Sequence, residues 1–129
     1  MSHFTRVRTQ LTDRVVLEGA LRRMGFTPQP TGKGVGGYLG QRIDASFKIQ
    51  PRKDSYEIGF VETPTGYTVV ADWWGVKGIT EKVLLQQLRQ QYAVEVTTRT
   101  LQDRGFKLEQ QSEDSDGTIR LVLHRSVGG

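Results

Sequence analysis

One stretch of the chain, residues 66–78, constrains the fold more than any other, and it reads GYTVVADWWGVKG. Its aromatic and β-branched residues follow the two-residue period that is typical of a β-strand. Both faces of this strand stay largely apolar up to Asp72, which predicts an interior strand. Because neighbouring strand residues point to opposite faces, Trp73 and Trp74 cannot occupy the same part of a core. We expect one indole to pack under a helix and the other to share a face with Asp72 or lie near the rim.

This strand completes a predicted three-stranded meander. Apolar and polar residues alternate over residues 45–50 and again over residues 56–61. The short turns PRKDS and TPTG connect the three segments, and short turns favour antiparallel neighbours. A separate hairpin is predicted from residues 106–111 and 118–125, around an acidic turn that ends in Asp116 and Gly117. Its buried face would consist of three aliphatic residues, Ile119, Leu121 and Leu123.

A first helix is predicted to start at Thr12, whose hydroxyl can accept a hydrogen bond from the first turn, with Asp13 complementing the helix dipole. Apolar residues recur after it at three- and four-residue spacing, as on one face of a helix. Gly25 favours a left-handed stop at the end of this helix. Residues 26–30 hold two prolines and predict a short extended piece at an edge or in a connection.

A second helix is predicted over residues 80–104, capped by Thr80 and stopped by Gly105. β-Branched residues in the segment 93–100 lower helix propensity and also alternate like a strand. The apolar stripe continues through this segment, which favours one long helix. A break near Tyr92 is the alternative.

A glycine-rich loop spans residues 31–41 and reads TGKGVGGYLGQ. It contains a formal G-x-G-x-x-G pattern, but a dinucleotide fingerprint requires a strand before it and a helix after it. Prolines precede this loop and a strand is predicted to follow, so we reject the fingerprint. A phosphate loop of the G-K-[S/T] type is also excluded, because Lys33 is followed by Gly34. The pattern leaves a flexible loop whose free amides could bind an anion, with a mobile, ligand-free loop as the favoured interpretation.

The predicted element order is β-α-β-β-β-β-α-β-β, in a single domain of 129 residues. Strands interrupted by two helices predict an α+β fold, a twisted, mainly antiparallel sheet with both helices packed on one face. The other face of the sheet would be exposed to solvent or used for association. Such an uncovered face would allow a homodimer.

Composition excludes several classes of protein. The chain has no cysteine, which rules out disulfides, thiol catalysis and thiolate metal sites. No apolar run approaches the roughly 20 residues that span a bilayer, and residues 1–10 lack the apolar core of a secretory signal. The net charge of +4 is uneven: residues 1–53 carry ten basic and three acidic residues, and residues 54–129 carry eight and eleven. A basic half can bind polyanions, although an uneven solvated surface is the simpler interpretation.

Catalytic candidates are few. The histidines His3 and His124 form no metal-binding spacing, and the acidic residues of the C-terminal hairpin turn lack the ligand spacing of a calcium loop. Asp72 is the best single candidate for a functional carboxylate, because two indoles follow it. The simpler role for Asp72, capping the next loop or pairing with an arginine, is favoured. We therefore predict no catalytic residue, no metal site and no cofactor.

Several segments taken together resemble a known family. They are, in chain order, MSHF, LTDR, GYLGQ, YEIGFV, VADWWGV, QQYA and DGTIRLVL. Their sequence and order resemble the hypothetical chloroplast reading frame 35 family, small uncharacterised proteins of cyanobacteria and algal plastids. The resemblance covers most of the chain. It implies a cyanobacterial cytoplasm or a plastid stroma, and it implies no reaction, cofactor or catalytic residue.

Our first functional hypothesis is a non-catalytic binding or assembly module with a protein partner. It would act through the exposed sheet face, the glycine-rich loop and the tryptophan rim. The residues predicted to bind are Gly34, Gly36, Gly37, Tyr38, Gln41, Asp72, Trp73 and Trp74.

The alternative hypothesis is recognition of nucleic acid or another polyanion by the basic N-terminal half. Its donors would be Arg6, Arg8, Arg22, Arg23, Lys33, Arg42, Lys48, Arg52 and Lys53. A third hypothesis is an enzyme for a small ligand that uses Asp72 beside Trp73 and Trp74.

Overall fold

The computed structural model describes residues 3–125. Its helices are α1, Arg14–Arg23, and α2, Glu81–Asp103. Its strands are β1 Thr5–Arg8, β2 Val35–Gly36, β3 Arg42–Ile43, β4 Phe47–Ile49, β5 Ile58–Thr63, β6 Gly66–Ala71, β7 Phe106–Glu113 and β8 Ile119–Arg125. The predicted α+β class and the antiparallel pairing are confirmed. The choice of one continuous second helix is also confirmed, with Thr80 capping it through a hydrogen bond from the Val83 amide at 3.3 Å.

Chain contacts divide the protein into two compact units, Met1–Tyr92 and Ala93–Gly129. This division does not test whether the chain is one domain, so the single domain stays a prediction. The first unit holds a four-stranded sheet of order β1-β6-β5-β4 and a two-stranded sheet of β2 and β3. The second unit holds the two-stranded sheet of β7 and β8. The single predicted sheet is therefore wrong, because the strands form three separate sheets.

The meander prediction holds in the four-stranded sheet. β4, β5 and β6 follow one another as antiparallel neighbours, and β1 pairs with the far side of β6. Strand β6 is interior and every residue in it is buried. It ends at Ala71, before both tryptophans, because residues 73–75 turn into a single 3₁₀ turn. The sequence also predicts a first strand over residues 2–9, and the structure has β1 within this range. Residue 2 of that prediction lies outside the described residues.

One face of this sheet carries the core of the first unit. Phe47, Phe60 and Val69 lie in register across three strands on this face. The same apolar cluster contains Leu17 of α1 and Leu84 of α2. The two helices thus bury their apolar stripes against one sheet face, as the periodicity predicts.

Tyr67 of β6 provides a test of this core through pH. Burial, and secondarily the negative charge of Glu62, raise the pKa of the Tyr67 phenol above its ordinary value. The folded state therefore favours the neutral phenol, and its stabilisation is complete below the unfolded pKa of about 10 and is lost as pH rises through the folded value. We expect the free energy of unfolding to fall in alkaline solution, and to fall less in Tyr67→Phe. Denaturant unfolding at several alkaline pH values measures the free energy of unfolding of the wild type and of Tyr67→Phe. An identical pH dependence in the two proteins would contradict this expectation.

The opposite face of the sheet is covered at its centre, where an open surface was predicted. Gly59 and Val70 lie in register on this face. Val35, from the glycine-rich loop, is fully buried and lies where a Cβ on Gly59 would come within 2.5 Å of it. The loop thus folds across the sheet as β2 and β3. Arg6 and Arg8, which pair with Val70 and Thr68, stay exposed at the β1 edge of the same face. A homodimer through this face stays an untested expectation.

One local prediction is wrong at the start of the chain. The N-cap of α1 is Asp13, whose Oδ1 accepts the Val16 N–H at 3.1 Å, and not Thr12. A carboxylate is a stronger partner than a hydroxyl for amides at the positive end of a helix. The extended piece at residues 26–30 meets the edge strand β4 through one isolated bridge between Gln29 and Lys48, as a short piece at an edge should. The glycine stop is confirmed, since Gly25 has φ +90°.

The second unit contains residues 93–103 of α2 and the β7–β8 hairpin. The hairpin is confirmed, with Ile119, Leu121 and Leu123 half-buried and the residues between them exposed. Asp116 accepts a hydrogen bond from the Thr118 amide, and this bond lowers the pKa of the Asp116 carboxyl. No helix within residues 3–125 combines the length and the apolar character needed to cross a membrane.

Candidate functional site

The glycine-rich loop is held against the sheet by an ionic network around Glu57. The Glu57 carboxylate lies 2.6 Å from Lys48 Nζ and 3.4 Å from an Arg42 nitrogen, and it accepts the Gly36 N–H at 3.1 Å. Arg42 also donates to the carbonyl oxygens of Lys33 and Gly34, and Lys48 donates to that of Gly34. Both cations thus tie the backbone of the loop that was predicted to be flexible to Glu57, next to β5.

Asp72 holds the other end of the loop. Its side chain is 1% exposed, and Oδ2 accepts the Tyr38 N–H at 3.1 Å. Gly37 lies over it, because a Cβ at that position would come within 3.3 Å of Asp72 Cβ and 2.8 Å of the Phe4 ring. Among residues 3–125, Asp72 forms no ion pair with an arginine, and its side chain does not cap the following turn. The Asp72 carboxylate instead holds the glycine-rich loop through Tyr38, which lies 34 residues earlier in the chain.

The loop amides that could receive an external anion are bonded internally. Gly34 N–H donates to Thr31 O, and Gly37 N–H donates to Gln41 O, each at 2.8 Å. Gly36 and Tyr38 donate to carboxylates, as described above. Two carboxylates of the protein itself, those of Glu57 and Asp72, thus accept hydrogen bonds from loop amides that were predicted to bind an external anion.

The two tryptophans lie in different surroundings, as predicted, although both belong to the 3₁₀ turn and not to the strand. Trp73 packs against the core of the first unit. Its indole Nε1 is buried and has no hydrogen-bond partner among the described residues, and the same is true of Asp72 Oδ1. Trp74 is 71% exposed. Trp73 is therefore a packing residue, and Trp74 is available to a partner.

Trp74 contacts the half-buried rings of Tyr38 and Tyr56, and the exposed Leu39 follows Tyr38 in the chain. The Tyr38 ring meets the Trp74 ring edge-on, with 5.4 Å between centroids. The Tyr56 ring lies tilted on the other side at 6.2 Å. Gly75 makes this contact possible, because a Cβ there would lie 2.2 Å from the Tyr56 ring. We call these four residues the exposed patch.

Leu39 is the least expected member of the exposed patch. It is 82% exposed and adopts left-handed backbone angles, φ 53° and ψ 35°. That conformation costs a leucine about 1 kcal/mol, and glycine or asparagine adopts it with less strain. A strained, exposed aliphatic side chain contributes little to folding, which is typical of a residue kept for binding.

We expect Leu39→Asn to raise the free energy of unfolding by about 0.5–1 kcal/mol, because asparagine tolerates the left-handed conformation. The side chain leaves no cavity, since it is almost fully exposed. Denaturant unfolding measures the change, with Leu21→Asn in the buried part of α1 as the destabilising comparison. A stability loss in Leu39→Asn would show that this side chain supports the fold.

The basic residues of the polyanion hypothesis lie on several elements. Arg6 and Arg8 lie on β1, and Arg22 and Arg23 lie at the end of α1. Arg42 and Lys48 come together at Glu57. Arg52 pairs with Asp54 at 3.1 Å in the turn that also holds Lys53.

An open groove of about 690 Å³ lies elsewhere in the first unit. It runs past the end of α1 and the start of α2. It is lined by Met24, Phe26, Val76, Gly78, Ile79, Thr80, Val83 and Gln87. This lining contains no ionisable side chain. Within residues 3–125, no three histidine, aspartate or glutamate side chains group as metal ligands would.

Sequence patterns missed two members of the exposed patch. Tyr56 reads as an ordinary member of the alternating strand, yet it precedes β5 and turns toward Trp74. Leu39 lies between Tyr38 and Gly40, and the residues two positions away on either side, Gly37 and Gln41, are not large apolar residues. A large aliphatic residue inside a glycine-rich loop was the available signal for it.

The fold and the loop define a small α+β protein whose glycine-rich segment is fastened across one sheet face by two carboxylates. The chain belongs to the family described as Protein of unknown function (DUF1257), whose model matches residues 20–122. This agrees with the resemblance in its sequence segments.

Three relatives are similar to this chain along nearly their whole length. Each is called "Uncharacterized protein ycf35". The proteins of Cyanophora paradoxa and Guillardia theta are each 32% identical to it, and that of Pyropia yezoensis is 30% identical. In each case the match covers 97% of this chain and 98% of the relative. No solved structure matches the chain significantly.

Proposed function

We propose that this protein is a non-catalytic binding module that contacts another protein through the exposed patch. The observation that carries the proposal is the exposure of Trp74 and Leu39 on two turns that Asp72 links. Its carboxylate bonds the Tyr38 amide, and its backbone carbonyl accepts the Gly75 N–H at 3.2 Å. We place this activity in a cyanobacterial cytoplasm or a plastid stroma, because the relatives are algal plastid proteins.

The chemistry of the exposed patch suits a protein partner. Tryptophan and tyrosine dominate the energetics of protein interfaces, because they bury a large area with few rotatable bonds. Hydrogen bonds of the loop and packing of Tyr56 against Gly75 hold the patch in place before binding. Such preorganisation lowers the entropy cost of association.

Two other functions have less support. For polyanion binding, Arg42 and Lys48 are already paired with Glu57 and with loop carbonyls. For a small-ligand enzyme, the Asp72 carboxylate is buried beneath Gly37 and bonded to the Tyr38 amide. A substrate would have to displace the loop to reach it.

We expect Trp74→Ala to reduce partner capture at least about tenfold, since truncation of a central interface tryptophan costs about 2 kcal/mol or more. The tagged full chain is incubated with lysate of a cyanobacterium or alga, and captured proteins are quantified by mass spectrometry. Val15→Ala, which removes an apolar side chain that is 58% exposed on α1, is the matched control and should capture as the wild type does.

Two results would contradict the proposal. One is the absence of any stoichiometric partner with the wild-type chain. The other is an equal loss of partner capture with Trp74→Ala and Val15→Ala, which would indicate nonspecific binding to exposed apolar side chains. The unfolding free energy of Trp74→Ala should stay within about 0.5 kcal/mol of wild type, as for an exposed residue.

A further inference from the structure

Strand β1 forms an open edge of the four-stranded sheet. It pairs with β6 alone, in the register Thr5 with Ala71 to Arg8 with Thr68. The Thr9 N–H donates to Tyr67 O at 3.1 Å, one step beyond this register. Hydrogen-bonded pairs alternate along antiparallel strands, so Thr5 and Val7 also bond to β6. The backbone N–H and C=O groups of Arg6 and Arg8 therefore point away from the sheet.

These outward groups are unused within the part of the chain that the structure describes. No backbone hydrogen bond joins Arg6 or Arg8 to a loop or turn among residues 3–125. Both residues are exposed. Such a row of alternating donors and acceptors is a template for another strand.

The charge along this edge is positive. The Arg6 and Arg8 side chains project from the same face of the sheet, about 7 Å apart, as residues two positions apart in a strand do. Between residues 3 and 125, neither guanidinium has a carboxylate within ion-pair distance. They differ in this from Arg42 and Lys48, which Glu57 neutralises.

We propose that the β1 edge binds an extended acidic segment of another protein as a fifth strand. Backbone groups of Arg6 and Arg8 would pair with the added strand. Carboxylates at alternate positions of that strand would face the two guanidinium groups, and such pairs are charge-assisted. This surface is separate from the exposed patch, so the inference goes beyond the proposed function and does not depend on it.

Two other ligands, a second copy of β1 and a nucleic acid, fit the β1 edge less well than an acidic polypeptide does. Antiparallel pairing with β1 of a second copy would place four arginines on one sheet face, and like charges in such positions repel. A nucleic-acid phosphate offers acceptors only, so it would leave the outward carbonyls of Arg6 and Arg8 without donors. An acidic polypeptide supplies both the donors and the negative charge.

The test is a titration of ¹⁵N-labelled full-length protein with a synthetic peptide that alternates glutamate and valine, up to millimolar concentration. We expect the Arg6 and Arg8 amide signals to shift and their hydrogen exchange to slow. Arg6→Gln combined with Arg8→Gln should weaken binding at least about tenfold, as expected for two lost charge-assisted contacts. Arg22→Gln with Lys53→Gln, which removes the same charge elsewhere, should leave the affinity unchanged. Trp74→Ala should also bind the peptide normally, which separates this inference from the proposed function.

A second peptide with methylated amides at alternate positions keeps every carboxylate and removes the strand-pairing donors. It should not bind. Equal binding of this peptide, or no response of β1 to either peptide, would overturn the proposal. Dimerisation of the protein through β1, or tighter protection of β1 by an RNA oligonucleotide than by the peptide, would overturn it in favour of those occupants.

Discussion

Replacement of Gly59 with alanine is expected to destabilise the protein by about 2–3 kcal/mol and to loosen the β2–β3 hairpin from the sheet. A Cβ at this position would lie 2.5 Å from Val35 Cγ2, 2.8 Å from Val70 Cγ2 and 3.0 Å from Ala45 Cβ. None of these neighbours is a flexible surface side chain, so the backbone must move, and overpacking of this kind costs about 1–3 kcal/mol. Denaturant unfolding measures the loss, and amide exchange of Gly36 and Tyr38 reports on the loop.

A double-mutant cycle with Val35→Ala provides the control for this prediction. Val35→Ala alone should destabilise the protein, because the side chain is fully buried. In the Gly59→Ala background the same change should cost about 1 kcal/mol less, because the smaller side chain makes room for the new methyl group. Strictly additive losses would show that the loop does not pack on Gly59 in solution.

Phe60→Ala is expected to cost about 3–5 kcal/mol, as truncation of a buried phenylalanine does. Phe60 is fully buried, and its ring stacks on that of Phe47 with 4.9 Å between centroids. Typical domains are stable by about 5–15 kcal/mol, so this loss would populate the unfolded state strongly. Thermal and denaturant unfolding measure the effect.

Phe60→Leu is the matched variant, because it keeps most of the buried volume. Its cost should stay below that of Phe60→Ala by at least about 1 kcal/mol. If Phe60→Ala lowered the unfolding free energy by less than about 1 kcal/mol, the sheet face on which Phe60 lies would not form the hydrophobic core.

Much of the fold could be predicted because its signals are local. The two-residue period of residues 66–71 and the glycine at each helix end report backbone preferences that do not depend on the rest of the chain. Gly25 and Gly105 have φ +90° and +89°, where glycine has no steric penalty. The different surroundings of Trp73 and Trp74 were predicted from strand alternation, but the strand ends at Ala71 and both residues lie in the 3₁₀ turn that follows.

The errors arose where distant segments compete for the same groups. Asp13 and Thr12 are both good caps by type, and only the folded geometry gives Asp13 the Val16 amide. The glycine-rich loop looked unanchored because its partners, Glu57 and Asp72, lie 21 and 34 residues away from Gly36 and Tyr38. Gly59 looked like an ordinary strand residue, although the loop packs against it.

The sequence by itself determined both helices, the strands of the meander and the C-terminal hairpin, because periodicity and glycine placement act over a few residues. Only the tertiary structure decided that the loop covers the centre of the second sheet face, that Asp72 bonds the Tyr38 amide, and that the rings of Tyr38 and Tyr56 meet that of Trp74. Those outcomes depend on contacts between residues far apart in the chain, where burial and hydrogen bonding select one arrangement among many that local preferences allow.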